Sequence, residues 1–401
     1  MKVLLVTQYF YPENFKSNDI AFELAKRGHK VDVLTGIPNY PAGKYYKGYG
    51  VFKRRLERVK GVRIYRALLL PRAWGAGLSL ALNYSSFAFF ASFWAAFLSL
   101  RRKYDAIIVH ENSPVTQGIP AVIAKKIRKT PLYFWVLDLW PESLISAGGV
   151  KNGRIISFFE SITRYIYNNS DKILISSNGF AESILAKGDY KEKLIYFPNW
   201  GEDVFLSSPK SQIPDLPEGF IIMFAGNIGE AQDFDSILEA AKELREYSDI
   251  KWVFVGDGRR LSWVKEYIAS NNLAETVYTL GKLPLEAMPA LFKRADVMLV
   301  SLKDEPIFNL TIPAKLQAYM AAARPVIGML NGEGADIIKK ASCGAVVNAG
   351  NARGLADEVL RISKLDKEAL ESMGQSGFSY YASNFDKDHC ITNLCNILSQ
   401  A

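Results

Sequence analysis

Three loops in the second half of the chain place glycines or a lysine just before the expected start of a helix. Gly226–Gly229 and Gly256–Gly258 each follow an apolar run with the composition of a strand, and Thr311–Lys315 leads into Leu316–Ala323. Glycine lets a backbone approach a phosphate closely, and a helix N-terminus offers free N–H groups and a positive dipole to an anion. Together the loops predict a nucleotide site, although each alone also fits a tight turn or a solvated lysine on a capped helix.

The first half offers other side chains at the ends of two further apolar runs. His110 and Glu111 end one run, and the segment Asp138–Glu142, with Trp140 at its centre, follows the other. Function collects at the carboxyl edge of parallel sheets, and two carboxylates beside a Trp-Pro turn can bind sugar hydroxyls or act as a base. A capping Asp and a first-turn Glu are the alternative interpretation of that turn.

Two more loops in this half, residues 8–17 and 35–44, are rich in Tyr, Pro, Asn and Gly. Aromatic and amide side chains suit the stacking and hydrogen bonding by which proteins hold carbohydrates. The same residues are equally usual in rigid loops. The candidate ligand-binding residues here are Tyr11, Glu13, Asn39 and Tyr40.

The elements that must position these residues follow a repeating order. Lys2–Thr7, a helical stripe over Asn18–Arg27 and the run Val31–Leu34 give strand, helix and strand, and the pattern restarts at Phe220–Ala225. Such spacing implies parallel sheets with right-handed crossovers, and near-continuous apolar runs are typical of strands buried on both faces. We therefore predict an α/β protein with two doubly wound, Rossmann-like domains.

Composition and charge agree with two globular domains that have different ligands. The 401 residues are 49% hydrophobic and 22% charged, which excludes a mainly disordered or fibrous chain. Residues 1–200 carry a net charge of +15 and residues 201–401 a net charge of −7. A basic half suits anionic lipid or a phosphorylated substrate, and without a zinc-finger, RNA-binding or basic-zipper pattern we expect no nucleic-acid partner. Three cysteines without metal-ligand spacing predict packing thiols in a reducing compartment.

The segment Ala73–Leu100 has no charged residue and is closed by Arg101-Arg102-Lys103. By length it could span a bilayer, it could be a buried core helix, or it could dip into one leaflet. A transmembrane helix at this position would place strands of one apparent domain on opposite sides of the membrane. The basic cluster beside it favours contact of residues 73–103 with anionic lipid.

These motifs, in this order, resemble the retaining nucleotide-sugar glycosyltransferases of family 4, which have the GT-B fold. The resemblance covers nearly the whole chain. It rests on Val3–Gln8, Leu24–Val31, Thr35–Pro41, Val109–Pro114, Gly226–Gln232, Val255–Gly258, Arg294–Val297 and Tyr319–Val326. Within the family, four segments are similar to bacterial enzymes that build O-antigen or capsule repeat units, of the N-acetyl-fucosaminyltransferase type. They are Gly36–Pro41, Val136–Glu142, Ala225–Gln232 and Ile312–Tyr319.

The resemblance implies two Rossmann-like domains facing across a cleft, with residues 1–199 binding the acceptor and facing the membrane. Residues 200–375 would bind the donor, and a C-terminal helix within 376–401 would pack back on the first domain. The reaction implied is transfer of an N-acetylhexosamine, or its 6-deoxy relative, from a UDP-sugar to an undecaprenyl-diphosphate-linked acceptor. We expect no cofactor and no metal, and a peripheral position on the cytoplasmic face of the plasma membrane.

The family resemblance, together with the loop positions described above, implies a role for each candidate residue of this chain. The catalytic candidates are His110, Glu111 and Asp138. The donor-binding candidates are Gly226, Asn227, Gln232, Gly256, Asp257, Gly258, Lys282, Thr311, Pro313 and Lys315. The acceptor-binding candidates are Tyr11, Glu13, Asn39, Tyr40, Trp140 and Glu142.

The chain departs from the family at the donor site. Asn227 and Gln232 stand where many members have Arg and Lys, and Leu310 and Ala318 stand where the family has two glutamates. We therefore expect Lys315 to neutralise the donor diphosphate. The alternatives are a UDP-sugar epimerase of the same fold, or a non-catalytic subunit that binds nucleotide-sugar or lipid.

Overall fold

The computed structural model describes residues 1–72, 77–146, 149–206 and 212–400, without the side chain of Leu78. The chain forms two compact units. Unit 1 comprises Met1–Phe197 with Ile391–Ala401, and unit 2 comprises Pro198–Cys390.

Within the described residues, the sheet of unit 1 has eight strands in the order β3-β4-β2-β1-β5-β6-β7-β8. They are β1 (Lys2–Val6), β2 (Lys30–Gly36), β3 (Leu56–Val59), β4 (Val62–Ala67), β5 (Ala106–Glu111), β6 (Leu132–Val136), β7 (Lys172–Ile175) and β8 (Leu194–Tyr196). Among the described strands of this sheet, only β3 runs antiparallel to its neighbour. The sequence analysis did not predict β3 and β4, because their charged residues break the apolar runs that mark the other strands.

The helices of unit 1 cover both faces of this sheet, as a doubly wound fold requires. They are α1 (Lys16–Lys26), α2 (Gly77–Arg101), α3 (Gly118–Arg128), α4 (Glu142–Ser146), α5 (Gly153–Asn169) and α6 (Phe180–Leu185). The strands β1, β5 and β6 are almost wholly buried, which explains their near-continuous apolar sequences.

Unit 2 has a six-stranded parallel sheet, counted over the described residues, in the order β11-β10-β9-β12-β13-β14. The strands are β9 (Phe220–Ala225), β10 (Ile250–Val255), β11 (Val277–Gly281), β12 (Val297–Ser301), β13 (Val326–Met329) and β14 (Gly344–Val347). Its helices are α7 (Phe234–Glu243), α8 (Leu261–Ser270), α9 (Met288–Arg294), α10 (Pro306–Asn309), α11 (Ala314–Ala321), α12 (Glu333–Lys340), α13 (Ala352–Ile362) and α14 (Lys367–Asn384). Two apolar clusters of buried side chains fill unit 2.

The C-terminal segment differs from the single packed-back helix of the sequence analysis. Helix α14 packs on α11 inside unit 2, and α15 (Lys387–Ser399) follows it. The division between the units falls within α15, so residues 376–390 belong to unit 2 and only Ile391 onward to unit 1.

The uncharged segment of the sequence forms α2, and its first residues, 73–76, lie outside the described part of the chain. Ser79–Arg101 is long and apolar enough to cross a membrane by length and composition. The helix also packs mainly along α3 and contacts β2 and β4, as a helix of a folded domain does. One side remains exposed, at Phe89, Phe93, Phe97 and Leu100.

A buried carboxylate ties the end of α2 to the sheet. Asp32 of β2 accepts hydrogen bonds from Arg63 Nε at 2.7 Å, Arg102 Nη1 at 2.5 Å and Tyr104 Oη at 2.7 Å. Arg102 is therefore engaged inside the domain, which removes it from the basic cluster that we expected to meet anionic lipid. Arg101 and Lys103 remain exposed.

We predict that Asp32→Asn lowers the free energy of unfolding by about 2–4 kcal/mol, because three buried or half-buried donors lose a charged acceptor. Asp357→Asn is the matched control. Its partner Arg353 and Asp357 itself are both mostly exposed, so that change should stay within about 0.5 kcal/mol. Urea denaturation checks both variants, and equal stabilities would show that the Asp32 cluster is energetically neutral.

Candidate active site

The loops after β9 and β10 in unit 2 interlock through their backbones. Gly226 N donates to Val255 O at 2.8 Å, and Ile228 N donates to Asp257 O at 2.9 Å. A Cβ at Gly256 would lie 1.8 Å from Gly226 O, and a Cβ at Gly258 would lie 2.2 Å from Ile228 O. Gly256 and Gly258 are thus required by the neighbouring loop itself, whereas the sequence analysis explained these glycines by the close approach of the backbone to a phosphate.

Lys315 lies directly against the loop after β9. A Cβ at Gly226 would fall 2.4 Å from Lys315 Cε, so that glycine makes room for the lysine side chain. The ammonium Nζ sits 3.9 Å from the centre of the Phe224 ring, at cation–π distance. Within the described residues no carboxylate lies within salt-bridge distance of Lys315. Burial accordingly lowers the pKa of Lys315 to about 7.

The start of α11 adds a second source of positive potential. Its N-cap position is Pro313, and no side chain caps the helix there. The first N–H groups of α11, the Lys315 ammonium and the loop at Gly226 therefore share one corner of the sheet's carboxyl edge. An anion at that corner would gain from all three.

Tyr319 fixes this corner, and the sequence analysis did not assign it a role. Its hydroxyl accepts from Ala225 N at 2.9 Å and donates to Ala225 O at 3.1 Å. Ala225 is the last residue of β9, so the pair holds α11 against the strand that precedes Gly226. A tyrosine one helical turn after a lysine is a weak sequence signal, because the same spacing is common in any core helix.

The other donor-binding candidates differ in exposure and in the hydrogen bonds that their side chains already make. Gln232 Oε1 accepts from Gly229 N at 3.2 Å and lies 3.5 Å from Asn227 Nδ2, so the two amides are neighbours. Thr311 Oγ1 donates back to Ile307 O at 2.8 Å. Asp257 is exposed and accepts from Gly258 N, while Lys282 is exposed just after β11.

Arg260, which follows β10, already has acidic and aromatic partners within unit 2. Arg260 bonds Asp235 Oδ1 at 2.7 Å, approaches Glu230 at 3.6 Å and lies over the Trp263 ring at 3.8 Å. Its charge is already compensated, so a diphosphate would gain little from it. Lys315, by contrast, lies against the loop at Gly226 with no carboxylate within salt-bridge distance among the described residues.

In unit 1, His110 is completely buried at the end of β5. Its ring packs edge-on against Trp135 with centroids 5.2 Å apart. Neither ring nitrogen has a hydrogen-bond partner in the described part of the chain. Burial lowers the pKa of His110 to about 3, so the ring is neutral at physiological pH and suits hydrogen bonding more than proton donation.

Glu111 is a structural carboxylate. It is fully buried and accepts from the backbone N–H groups of Ser113, Leu137 and Asp138 at 3.2–3.3 Å. It therefore ties the loop after β5 to the loop after β6, and burial raises its pKa well above the usual value. Both oxygens of Glu111 are occupied by backbone donors, which gives this carboxylate a role in the fold, and the catalytic role assigned to it from sequence stays a prediction.

Asp138 is placed where a substrate hydroxyl could reach it. Its carboxylate accepts from the Ser143 hydroxyl and remains partly exposed. Burial raises the pKa of Asp138, and hydrogen bonds from Ser143 and Ser113 oppose that rise.

Among the acceptor candidates, Glu13 and Asn39 build the loops and the tyrosines are exposed. Glu13 accepts from the N–H groups of Asn39 at 2.7 Å and Tyr40 at 2.6 Å, and burial raises its pKa to about 7. Asn39 is itself fully buried, so a direct role for either residue in acceptor contact is not supported. Tyr11 and Tyr40 are 36% and 39% exposed, which leaves their rings accessible.

The two candidates after β6 also serve the fold. Trp140 is 4% exposed and packs on Phe159 with ring centroids 5.2 Å apart. Glu142 pairs with the buried Lys187 and accepts from Ser183 Oγ at 2.6 Å, which joins α4 to α6. Glu142 therefore fits the alternative interpretation, a glutamate in the first turn of a helix, better than it fits an acceptor-binding residue.

Two residues that the sequence analysis missed complete the site of unit 1. The guanidinium of Arg72 lies 5.3 Å from the Tyr40 ring, and its buried Nε has no hydrogen-bond partner in the described residues. Tyr84 of α2 lies among Arg72, Ser113 and Asp138, which all influence its pKa after burial has raised it. Only the fold brings these residues together. In the sequence, the position of Arg72 just before the uncharged segment is a weak indication that it has a role.

No group of three or more His, Cys, Asp or Glu side chains that could hold a metal occurs within the described ranges. Each site therefore consists of amides, hydroxyls, aromatic rings and a few isolated charges. Unit 2 offers cationic and backbone N–H groups to an anion, and unit 1 offers aromatic and hydroxyl groups with one carboxylate.

Solved structures with this architecture define the class of protein. The chain aligns over its full length with HepE of Anabaena in complex with UDP, covering 100% of both chains at 15% identity with a TM-score of 0.72. The same protein has been solved with UDP-glucose, with a TM-score of 0.68. The fold, with two doubly wound α/β units, is that of the GT-B glycosyltransferases.

Family models match most of the chain. The model described as glycosyl transferase 4-like domain matches residues 17–200, and the model described as glycosyl transferases group 1 matches residues 219–364. The chain belongs to this family of glycosyltransferases. The putative colanic acid biosynthesis glycosyl transferase WcaI of Escherichia coli K12 is 26% identical over 341 residues, which cover 80% of this chain and 81% of that protein. A 2-deoxystreptamine N-acetyl-D-glucosaminyltransferase of Niallia circulans is 23% identical and covers 94% of each.

We predict that Tyr319→Phe lowers the free energy of unfolding of unit 2 by about 1–3 kcal/mol, because the buried N–H and C=O of Ala225 lose their partner. Tyr278→Phe removes an exposed hydroxyl that bonds Glu275 O, and should change stability by no more than about 0.5 kcal/mol. Urea denaturation of the two variants measures the difference. Equal effects would show that the Tyr319 hydroxyl does not anchor α11.

Proposed function

We propose that this glycosyltransferase moves a sugar, with retention and without a metal, from a UDP-sugar to an undecaprenyl-diphosphate-linked acceptor. The sugar proposed is an N-acetylhexosamine or its 6-deoxy relative. The observation that carries the proposal is the uncompensated ammonium of Lys315, held against Phe224 and Gly226 beside the uncapped start of α11.

The chemistry follows from the leaving group. When the glycosidic bond to the donor breaks, negative charge develops on the β-phosphate of the departing nucleoside diphosphate. Groups that are already oriented toward that charge stabilise the transition state more than the ground state. Lys315 and the N–H groups of α11 are held in place by Tyr319, so they require no reorganisation during the reaction. The charge that a metal ion would supply in other enzymes comes here from the lysine.

The identity of the substrates is supported by the relatives. HepE was solved with UDP and with UDP-glucose, which favours a uridine donor. The Niallia circulans relative is named for transfer of N-acetyl-D-glucosamine, and WcaI is named for colanic acid biosynthesis. A role in bacterial polysaccharide assembly, for O-antigen or capsule, agrees with these names and with the lipid-linked acceptor.

Unit 1 supplies suitable groups for that acceptor. Arg72 has no carboxylate within salt-bridge distance among the described residues, so its guanidinium is available to a lipid diphosphate. Tyr40 and Tyr84 present rings and hydroxyls for a sugar, and Asp138 is positioned to orient the attacking hydroxyl.

We also propose a peripheral position on the cytoplasmic face of the plasma membrane. The exposed side of α2 carries Phe89, Phe93 and Leu100, each about 60% exposed, with Arg101 and Lys103 at its end. Aromatic side chains beside cations are typical of segments that bind an anionic bilayer surface.

Calorimetric titration with UDP in the presence of EDTA tests the donor site. Lys315→Ala should weaken UDP binding by about 10- to 100-fold, because a charge-assisted contact contributes about 1.5–3 kcal/mol. Lys339→Ala, which removes an exposed lysine of α12, is the matched control and should leave the dissociation constant unchanged. Unchanged binding in Lys315→Ala would contradict the proposed donor site.

Donor affinity should fall as the pH rises above about 7. Since burial lowers the pKa of Lys315 to about 7, the free protein loses the ammonium charge above that pH, and a bound diphosphate restores it. Binding of UDP-N-acetylglucosamine at pH 8.5 should therefore take up close to one proton, and binding at pH 6 almost none. Titration in buffers of different ionisation enthalpy measures this uptake. Lys315→Arg should remove it, because arginine stays charged.

Turnover with a panel of UDP-sugars and lipid-linked acceptors tests the reaction itself. Transfer that keeps the anomeric configuration supports the proposal. Release of UDP or an altered sugar nucleotide without acceptor would instead indicate an epimerase. Binding without turnover on any acceptor would indicate the non-catalytic alternative.

A further inference from the structure

Residues 44–60, which we call the basic segment, concentrate positive charge at one edge of unit 1. The segment contains seven Lys or Arg residues and one acidic residue, Glu57, and it ends in the edge strand β3. Glu57 Oε1 accepts from Arg66 Nη2 at 2.6 Å, and the Arg66 side chain is completely buried. This carboxylate therefore does not offset the exposed cations of the segment. Those cations are Lys44, Lys47, Lys53, Arg54, Arg58 and Lys60.

A tight turn within the basic segment presents a phenylalanine to solvent. Gly50 N donates to Lys53 O at 3.3 Å, and Lys53 N donates to Gly50 O at 3.1 Å. Val51 and Phe52 therefore form the two-residue tip of the turn. The Phe52 side chain is 96% exposed, so it makes almost no contact with the rest of the domain.

The turn is held in place by a side chain from the start of the β3–β4 hairpin. Arg55 Nη1 donates to Val51 O at 2.9 Å, and Arg55 Nε donates to Arg66 O at 2.6 Å. The tip is thereby fixed to β4 before any partner arrives. A surface that binds a preformed tip avoids the entropic cost of ordering a flexible loop.

Leu56 connects the basic segment to the exposed side of α2. Leu56 of β3 is 58% exposed and pairs directly with Tyr65 of β4, so both side chains lie on one face of the sheet. The Tyr65 ring packs on Trp94 of α2 with centroids 5.6 Å apart, and Trp94 packs on Phe97 at 5.8 Å. The apolar surface at Phe97 therefore continues through these rings to the edge strand.

Charge and apolar exposure together select the partner. Cations attract any polyanion, but a free phosphate gains nothing from Phe52 or Leu56. A single-stranded nucleic acid would stack on Phe52 and leave Leu56 in water, since an aliphatic side chain offers no ring to a base. An anionic bilayer complements both features, because lipid phosphates lie at its surface and an apolar layer lies directly beneath them.

We propose that the basic segment is a second membrane-contact site, at which Phe52 enters the interface of an anionic bilayer and the surrounding cations bind lipid phosphates. The inference rests on the peripheral position included in the proposed function, and it adds a requirement for anionic lipid. Contact through α2 alone would leave unit 1 free to turn about that helix. A second contact at the edge of the sheet fixes its orientation on the surface.

Co-sedimentation of the full-length protein with lipid vesicles tests the site without any sugar transfer. Vesicles of phosphatidylcholine with about 30% phosphatidylglycerol provide the anionic surface, and pure phosphatidylcholine provides the neutral one. The double variant Lys47→Gln, Lys53→Gln should bind the anionic vesicles about 10- to 25-fold more weakly, because each cation near such a surface contributes about fivefold. Equal binding of the wild-type protein to both kinds of vesicle would overturn the proposal.

A matched charge control uses two exposed lysines of α12 in unit 2. The double variant Lys339→Gln, Lys340→Gln removes the same net charge from the chain. It should change binding to the anionic vesicles by less than about twofold, because screening confines the attraction to cations near the lipid. Equal losses in the two double variants would indicate an effect of net charge and would overturn the site.

Phe52 separates insertion from attraction by charge. Phe52→Ser should weaken binding to the anionic vesicles about five- to tenfold, because the ring no longer leaves water. Phe52→Trp should bind as the wild-type protein does, since tryptophan also favours the membrane interface. Tyr247→Ser removes a ring that is 46% exposed in unit 2, and as the control it should have no effect. Wild-type binding in Phe52→Ser would overturn insertion of the tip.

These outcomes are distinguishable from failure of the proposed function. Weakened vesicle binding in Phe93→Ser, with wild-type binding in the variants of the basic segment, would retain the peripheral position and overturn the second contact. Losses in the variants of the basic segment, without transfer from any nucleotide-sugar, would retain the contact and remove the function. Binding of a single-stranded oligonucleotide that these variants weaken, without a preference for anionic vesicles, would overturn the proposal in favour of nucleic acid.

Discussion

The paired hydrogen bonds between the Tyr319 hydroxyl and the backbone of Ala225 are the contact on which the donor site depends. They join the last residue of a central strand to the middle of α11 and so fix where the start of that helix lies. The Lys315 side chain then lies between the Phe224 ring and Gly226. No carboxylate among the described residues compensates its ammonium charge there. An isolated buried cation is unfavourable in the free protein, and that cost is offset when an anion binds.

Unit 1 uses most of its buried carboxylates to hold loops in place. Glu13 and Glu111 each accept several backbone N–H groups at the carboxyl edge of the sheet, and Asp32 gathers two arginines and a tyrosine nearer the start of β2. Loops that follow parallel strands have no ladder to satisfy their N–H groups, so a buried carboxylate is an efficient acceptor. This leaves Asp138 as the partly exposed carboxylate among the catalytic candidates.

Helix α2 combines two requirements that both exclude charge. One side packs on α3 and the sheet, and the other carries the exposed rings of Phe89, Phe93 and Phe97. A sequence without charge over this length therefore resembles a membrane span, although the helix is an integral part of a doubly wound domain. The cation at its end, Arg102, is bound to Asp32, which ties the end of the helix to the sheet.

The sequence alone determined the α/β class and the two-unit organisation, and it selected Lys315 and Asp138 as candidates, because apolar periodicity, glycine loops and strand-end positions are local properties of the chain. It did not reveal β3 and β4, whose charged residues hide their pattern, or the roles of Tyr319, Arg72 and Tyr84. It also assigned catalysis to Glu111 and acceptor binding to Asn39 and Glu142, whose side chains hold loops and helices in the structure. Whether a polar side chain meets a ligand or a backbone N–H group depends on neighbours that are distant in sequence, and only the packed fold decides which of the two lies within hydrogen-bond reach.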